Sequence, residues 1–242
     1  MSTQEATTRP DGLAVDHAPT RAAGDISVRL AGAGAITFAV TVIAQNFIRG
    51  ASAPAMGAST HEILTHYSGD HPISFVLAAT YVLSGLGMAV FLGGALRRLL
   101  RTDRAGWALT GLAGAVSVMA LFAVVVASEQ ALAVVAQQGN PDPGAIDALW
   151  ALHNSVFTVL DFSIAIALLG LSRAGVAAGM TPRVFARLAP LGTLLLLVGT
   201  LTGPATAAGD TMAFFAITVA GFVIWLSFLI ATGVRLVRSV EA

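Results

Sequence analysis

The sequence predicts an all-α membrane protein, a bundle of six transmembrane helices with both termini in the cytoplasm. Of its 242 residues, 56% are hydrophobic and only 11% are charged, and the mean hydropathy is +0.80. Soluble domains contain about 25% charged residues, so this chain has too few charges to cover a surface that faces water. Six apolar stretches are each long enough to cross a hydrocarbon core of about 30 Å. Because a backbone in lipid must satisfy its own hydrogen bonds, these stretches are expected to be helices.

The predicted elements follow in order from a polar tail. Residues 1–28, with mixed charges and prolines, predict a disordered cytoplasmic tail. In the S-x-x-E pattern of Ser59 and Glu62 we recognise a capping box, which predicts a short helix at 59–68 on the outer membrane surface. The six-helix domain covers 29–238, and its transmembrane helices are predicted at about 30–48, 73–96, 106–127, 148–171, 188–207 and 212–234.

The thirteen basic residues, all of them arginine, predict the orientation. They cluster before the first helix, in the second and fourth links and after the sixth helix, whereas the other three links contain only Arg49. Basic residues near membrane ends are retained on the cytoplasmic side, which places both termini inside. The lack of lysine and the many alanines, glycines and valines are typical of a GC-rich bacterial genome. The expected location is therefore the bacterial cytoplasmic membrane.

The first helix has an alternative interpretation as a cleaved signal peptide, because residues 51–53 resemble a cleavage site. The long polar lead, the polar Gln45 and Asn46 and the position of Arg49 all argue against cleavage.

Asp161 is the first candidate for function, because it lies near the middle of the fourth predicted helix. An acid at that depth costs about 2.5–3.5 kcal/mol on insertion scales and is a functional hypothesis by default. It is expected to be protonated or held by neutral donors. The functional interpretation is a proton-coupling or solute-binding carboxyl, and the alternative is a packing hydrogen bond to Ser84, Tyr81 or a threonine.

The fourth helix carries further polar residues beside this acid. Asn154, Thr158 and Asp161 are spaced so that they share one helix face, which is expected to point into the bundle. His153 lies about 100° from Asn154 and points elsewhere. It is either a ligand or proton carrier, or a hydrogen-bonded interfacial histidine.

Polar residues of other helices lie at a depth similar to that of His153 and Asn154. An outward-facing polar cavity with Asp161 at its floor is the most specific site that the sequence predicts. Ordinary solvation of helix ends is the alternative for Gln45, Glu129 and Gln130. The candidate cavity residues are Asp161, Asn154, Thr158, His153, Asn46, Glu129 and Tyr81.

The first outer loop contains His61, Glu62, His66 and His71, but no metal site is predicted there. His61 and His66 diverge by about 140° on a helix, unlike the four-residue spacing that aligns zinc ligands. The chain contains no cysteine, which excludes disulfides and thiolate metal sites. No cofactor is expected, and the zero net charge provides no basic surface for nucleic acid.

Several phrases of the sequence resemble a group of six-helix integral membrane proteins that is common in actinobacteria, a domain family without an assigned activity. The phrases are RLAGAGA at 29–35, HEILTHYSGDHP at 61–72, LWALHNSVF at 149–157, RLAPLG at 187–192 and GVRLVR at 233–238. The resemblance implies a topology and brings no site residues.

Three classes of function fit these observations. The sequence contains no nucleophile elbow, phosphate-binding loop or dinucleotide fingerprint, so an accessory or sensory role without chemistry of its own is favoured. A small proton-linked permease using Asp161 is the first alternative. A membrane-embedded enzyme with outer-face histidine and glutamate residues is the second. The expected partners are the lipid bilayer and either another membrane protein or a second copy of the chain.

Overall fold

The computed structural model describes residues 18–69, 72–207 and 212–239, and every regular element in these ranges is an α-helix. The elements, in chain order, are α1 (Ala18–Ser52), α2 (Thr60–Tyr67), α3 (Pro72–Thr102), α4 (Trp107–Ala136), α5 (Pro143–Ala177), α6 (Phe185–Leu201), α7 (Gly203–Ala207) and α8 (Met212–Arg238).

Most helices extend several residues beyond their predicted ends, and two further differences concern the N-terminal tail and the fifth predicted helix. α1 begins at Ala18, so the predicted disordered tail is helical from there to residue 28, and only residues 1–17 of the tail lie outside the described residues. The fifth predicted helix, at 188–207, is divided into α6 and α7. α6 ends at Leu201 and α7 begins at Gly203, so the division lies directly before Pro204. Proline has no N–H to donate to the preceding turn, which interrupts the helix at this point.

Five of the described helices are long and apolar enough to cross a membrane, judged by length and composition. They contain the spans Ile26–Ser52, Val76–Thr102, Trp107–Ala136, Pro143–Ala177 and Phe215–Arg238. α6 is a shorter apolar helix of 17 residues, or about 26 Å at 1.5 Å per residue. The fold is therefore an apolar helical bundle of the membrane-protein type.

The long helices form a closed ring in chain order. α1 packs on α3, α3 on α4, α4 on α5, α5 on α6, and α6 on α8, and α8 returns to α1. Consecutive helices run in opposite directions, as short links require. Two ends of the ring result: one carries the arginine-rich links, and the other carries α2 and is called the α2 end below.

Glycines allow the closest helix crossings in the ring. Gly111 of α4 lies against Gly170 of α5, and a Cβ on either residue would collide with the backbone of the other. Where α1 meets α8, a Cβ on Gly32 would lie 2.6 Å from the carbonyl oxygen of Gly233. Small residues are the usual means of close approach between membrane helices, because apolar side chains gain little by leaving lipid.

The centre of the ring toward the arginine-rich end is filled by large side chains. Phe38, Trp225 and Phe228 are almost fully buried there, and the ring of Trp225 packs on both phenylalanines. The outer faces of the ring helices α3, α4, α5, α6 and α8 expose large apolar side chains, among them Leu86, Val116, Val159, Phe162, Leu194 and Val223. This distribution suits a bundle surrounded by lipid.

The short helix α2 packs its apolar face on the bundle. Ser59 and Glu62 form a reciprocal capping box at its start. Its buried residues Ile63 and Tyr67 contact a second apolar cluster formed with α4 and α5, which includes Trp150. The apolar face of α2 is therefore occupied by protein.

Candidate functional site

Two adjoining cavities lie between the helices at the α2 end. The wide cavity has a volume of about 1180 Å³ and lies between α2, the link that precedes it and the ends of α1, α4 and α5. The deep cavity has a volume of about 90 Å³ and lies inside the ring. The two cavities adjoin, because five residues line both of them; these are Asn46, Met56, Phe157, Thr206 and Phe215.

A buried ion pair lies in the wall of the wide cavity. Arg49 of α1 donates from Nε to Glu129 Oε1 and from Nη2 to Glu129 Oε2, both at 2.9 Å. Such a two-bond contact between guanidinium and carboxylate is the strongest arrangement of this pair. The guanidinium carbon also lies 5.4 Å from the ring centre of Phe122, within the range of a cation–π contact.

The pair bridges helices that do not pack on each other. Among the described residues, α1 and α4 share no helix–helix contact, because α3 lies between them in the ring. The long side chain of Arg49 crosses this gap at the α2 end. The ion pair therefore links α1 to α4 at the α2 end of the ring.

His153 of α5 extends the cluster. Its Nε2 lies 3.3 Å from Glu129 Oε1, and its Nδ1 lies 3.1 Å from Asn154 Oδ1. The amide of Asn154 donates from Nδ2 to the carbonyl oxygen of Met56 at 2.9 Å. That bond orients the amide and leaves Oδ1, which can only accept, facing the imidazole.

Aromatic rings hold this cluster in place. The ring of Trp150 stacks on His153 with a centroid distance of 4.9 Å, and its Nε1 donates to the carbonyl oxygen of Met56 at 3.0 Å. Tyr67 of α2 packs on the edge of Trp150. Burial and the nearby Glu129 carboxylate raise the pKa of the Tyr67 hydroxyl well above its ordinary value, so this hydroxyl stays neutral.

Asp161 lines the deep cavity, two helical turns from His153 along α5, or about 12 Å at 1.5 Å per residue. Its side chain is half-buried. No hydrogen bond or ion pair reaches its carboxyl from any residue of the described ranges. An ionisable group placed in apolar surroundings without a partner is costly for stability.

The packing alternative for Asp161 named Ser84, Tyr81 or a threonine as its partner, and the first two bond elsewhere. The hydroxyl of Ser84 donates to the carbonyl oxygen of Tyr81, and the Tyr81 hydroxyl donates to that of Met119. Tyr81 lies at the seam of α3 and α4 with its ring on Phe122, and it lines neither of the two cavities described above.

The other predicted cavity residues lie along the two cavities. Asn46 is at their boundary, and its amide donates to Val42 O within its own helix. Thr158 lines the deep cavity, and its hydroxyl donates to Ser155 O. Asn154 and His153 line the wide cavity side by side, so His153 reaches the same cavity although it lies on a different face of α5 from the Asn154 stripe.

Ordinary solvation of helix ends was the alternative interpretation of Gln45, Glu129 and Gln130, and it does not describe the first two. Gln130 is exposed, but Gln45 and Glu129 are buried. The Gln45 amide donates to Thr80 Oγ1 at 2.8 Å, which joins α1 to α3, and its Oε1 accepts no hydrogen bond. Burial of these polar groups is possible because each binds a polar group of another helix.

The histidines of the outer loop do not form a metal site with the described residues. His61, Glu62 and His66 line the wide cavity, whereas His71 lies outside the described residues. Within the described ranges no three histidine, aspartate or glutamate side chains could hold one ion. Glu62 bonds to Ser59, and these bonds lower the pKa of its carboxyl.

The residue that the sequence interpretation missed is Arg49. The sequence interpretation used it for the orientation and against signal-peptide cleavage, although it is the one arginine outside the basic clusters and is therefore unusual under the positive-inside pattern. That position, together with Glu129 in another apolar helix, was the available signal. Comparisons of the chain with protein-family models, curated proteins and solved structures find no match.

Proposed function

We propose that this protein is a small proton-linked permease of the bacterial cytoplasmic membrane and that it binds its solute at Asp161. The observation that carries the proposal is the carboxyl of Asp161, which lines a cavity inside the bundle and has no polar partner among the described residues. Acids inside membrane bundles that face a cavity mark ion and solute pathways.

The membrane setting of this proposal is six crossings with both termini in the cytoplasm. In this arrangement α6 with α7 is the fifth crossing. The arginines of the α3–α4 and α5–α6 links and those that end α8 then lie inside, as the positive-inside rule requires. The α2 end and its wide cavity face outward.

The arrangement of cavity and core supports a transport cycle. The wide cavity leads from the α2 end to the deep cavity, and large buried side chains such as Trp225 and Phe228 fill the ring beyond it. This conformation gives Asp161 access from one side only. A permease also needs a second conformation in which the carboxyl is reached from the arginine-rich side.

Asp161 provides the link to protons. An ionised carboxyl in apolar surroundings is stable only when a cation is beside it, and otherwise it takes up a proton. Solute and proton therefore exclude each other at one group. Each transport cycle then moves the solute and a proton in opposite directions across the membrane.

The accessory or sensory role is the other function to be tested. It uses the same cavity, but it requires access from the outer side alone. The two functions are therefore separated by measuring from which side of the membrane the deep cavity is reached.

The test is thiol labelling of single-cysteine variants, which need no background changes because the chain contains no cysteine. Thr158→Cys reports on the deep cavity. Val159→Cys is the matched control, because it lies at the same depth on the outer face of α5. Both are labelled with a membrane-impermeant cationic thiosulfonate in right-side-out and inside-out vesicles.

A permease predicts labelling of Thr158→Cys in both vesicle types and none of Val159→Cys. Labelling from the outer side alone contradicts transport and favours a sensory role. Acidification slows the labelling of every cysteine because it removes the reactive thiolate, so the rate for Thr158→Cys is divided by that of an exposed control, Gln138→Cys. In a permease this ratio changes with pH, and adding Asp161→Asn removes the change. A pH response that persists without the carboxyl contradicts the proton link.

A further inference from the structure

We propose that the solute is a small hydrophobic organic cation, bound by the Asp161 carboxylate within a cage of aromatic rings. This inference rests on the proposed function and adds the class of substrate. The aromatic side chains that line the deep cavity are Phe38, Phe122, Phe157, Phe215, Phe222 and Trp225.

The charge of the deep cavity favours a cation. Asp161 is the one charged residue among its described lining residues. The nearest basic cluster, in the wide cavity, has Arg49 bonded to both carboxylate oxygens of Glu129, and its His153 faces the same carboxylate. His61, His66, Glu62 and Tyr67 are the other titratable groups among the described lining residues of the wide cavity. Aromatic faces add to the attraction, since their quadrupoles are negative toward a cation above the ring.

The polar groups of the deep cavity argue against a sugar or another strongly polar solute. The hydroxyl of Thr158 and the amide of Asn46 already donate to carbonyl oxygens of their own helices. A polyhydroxy solute would leave many of its groups without partners, at a cost of about 1–3 kcal/mol for each. A solute with one charge and an apolar body has no such cost.

The size of the deep cavity defines the part of the solute that it holds. A cavity of about 150 Å³ can hold benzene, and the deep cavity measures about 90 Å³. An ammonium group with a few carbon atoms fits this space. The rest of the molecule then extends past Phe157 and Phe215 into the wide cavity.

Binding is an exchange that conserves charge at Asp161. The carboxyl begins protonated, the O–H bond breaks, and the proton leaves to water as the organic cation takes its place beside the carboxylate. No bond of the solute is made or broken. At low pH the proton is favoured, so the affinity for the cation decreases.

The test compares the binding of three small phenyl compounds, which differ in charge, to the purified protein. Benzyltrimethylammonium is the cation, neopentylbenzene is its uncharged isostere, and phenylacetate is an anionic aromatic. Binding is measured by equilibrium dialysis at several pH values. We expect the cation to bind at least about tenfold more tightly than the neutral isostere, in the range of a partly desolvated cation–π and ion contact, and to bind more weakly as the pH falls.

Two variants test the residues. Asp161→Asn is expected to weaken cation binding about tenfold or more and to remove its pH dependence. Phe222→Leu is expected to weaken it about fivefold through loss of one ring. Phe162→Leu, on the outer face of α5, is the control and is expected to leave binding unchanged.

The outcome separates this inference from the proposed function. Equal binding of the cation and its neutral isostere, or preferential binding of phenylacetate, overturns the substrate class. This comparison uses the parent chain, so it does not depend on how a variant folds. If Thr158→Cys is still labelled from both sides in that case, the permease stands and only its cationic substrate is rejected.

Discussion

At the scale of single residues, Glu129 connects more of the site than any other group. It accepts two bonds from Arg49 and faces His153, and all three residues are buried. Removing one member of a buried charged cluster lowers stability more than replacing the whole cluster with apolar residues. The reason is that the remaining charges lose their partner but stay out of water.

We therefore expect Glu129→Gln to lower the free energy of unfolding by about 3–5 kcal/mol. Thermal unfolding of the purified chain in detergent measures the change. Glu62→Gln is the matched control, because that acid is exposed at the start of α2, and its cost is expected to stay below about 1 kcal/mol.

The double variant Arg49→Met with Glu129→Leu tests the cause. Replacing both charges with apolar groups is expected to recover much of the loss, since a buried pair contributes little beyond its own desolvation. A double variant as unstable as Glu129→Gln would show that the pair itself, and not an orphaned charge, sets the stability.

The sequence predicted part of this site and missed its centre. The depth of Asp161 and its shared face with Thr158 and Asn154 follow from helical spacing alone. The link between Arg49 and Glu129 does not, because it joins helices that are neither consecutive nor packed on each other. Only the arrangement of the ring brings those two side chains together.

At the scale of helices, close crossings and caps decide which contacts are tight. Gly170 lies directly against α4, whereas Gly93 of α3 has open space where a Cβ would be. The same substitution at the two positions should therefore act with opposite sign.

Gly170→Ala is expected to destabilise the chain by about 1–3 kcal/mol through overpacking, and Gly93→Ala to stabilise it by up to about 1 kcal/mol by restricting the unfolded backbone. Unfolding in detergent measures both. If both variants are equally stable, the α4–α5 crossing is looser than the structure has it.

The link between α3 and α4 provides a pH-dependent cap. The backbone N–H groups of Ala108 and Ala105 donate to Asp103, and these bonds lower the pKa of its carboxyl. A group with a lowered pKa stabilises the fold above its unfolded-state pKa of about 4, and this contribution is lost as the pH falls through the folded-state value.

Asp103→Asn is therefore expected to lower stability at neutral pH and to have progressively less effect below about pH 4. Thermal unfolding of parent and variant from pH 7 to pH 3 measures the difference. A difference that is constant across this range contradicts an ionic contribution.

The helices themselves were largely predictable, because uninterrupted apolar stretches bounded by arginines, glycines and prolines determine them locally. The division of the fifth predicted helix lies next to Pro204, and a proline that lacks a donor N–H is a local signal for such an interruption. The docking of α2 could not be predicted, since Ile63 and Tyr67 form the same apolar stripe whether they face lipid or Trp150.

At the scale of the whole molecule, the number of crossings depends on α6. If α6 and α8 both cross the membrane, the α5–α6 link and the C-terminal end lie on one side. If α6 does not cross, they lie on opposite sides. The positive-inside pattern favours the first arrangement.

Two exposed single-cysteine positions, Ala177→Cys and Ser239→Cys, distinguish the arrangements. Both are expected to react with an impermeant thiol reagent only in inside-out vesicles, whereas Gln138→Cys, at the other end of α4, should react only in right-side-out vesicles. Reaction of positions 177 and 239 from opposite sides rules out six crossings.

The contact between α1 and α8 has a consequence for how the chain is made. α1 is synthesised before α8, yet they are neighbours that touch through Gly32 and Gly233. Until α8 has been made, the nascent bundle has an open flank where this helix will insert. Because α8 contributes Phe222 and Trp225 to the cage, Asp161 gains this side of its enclosure only after α8 has been synthesised.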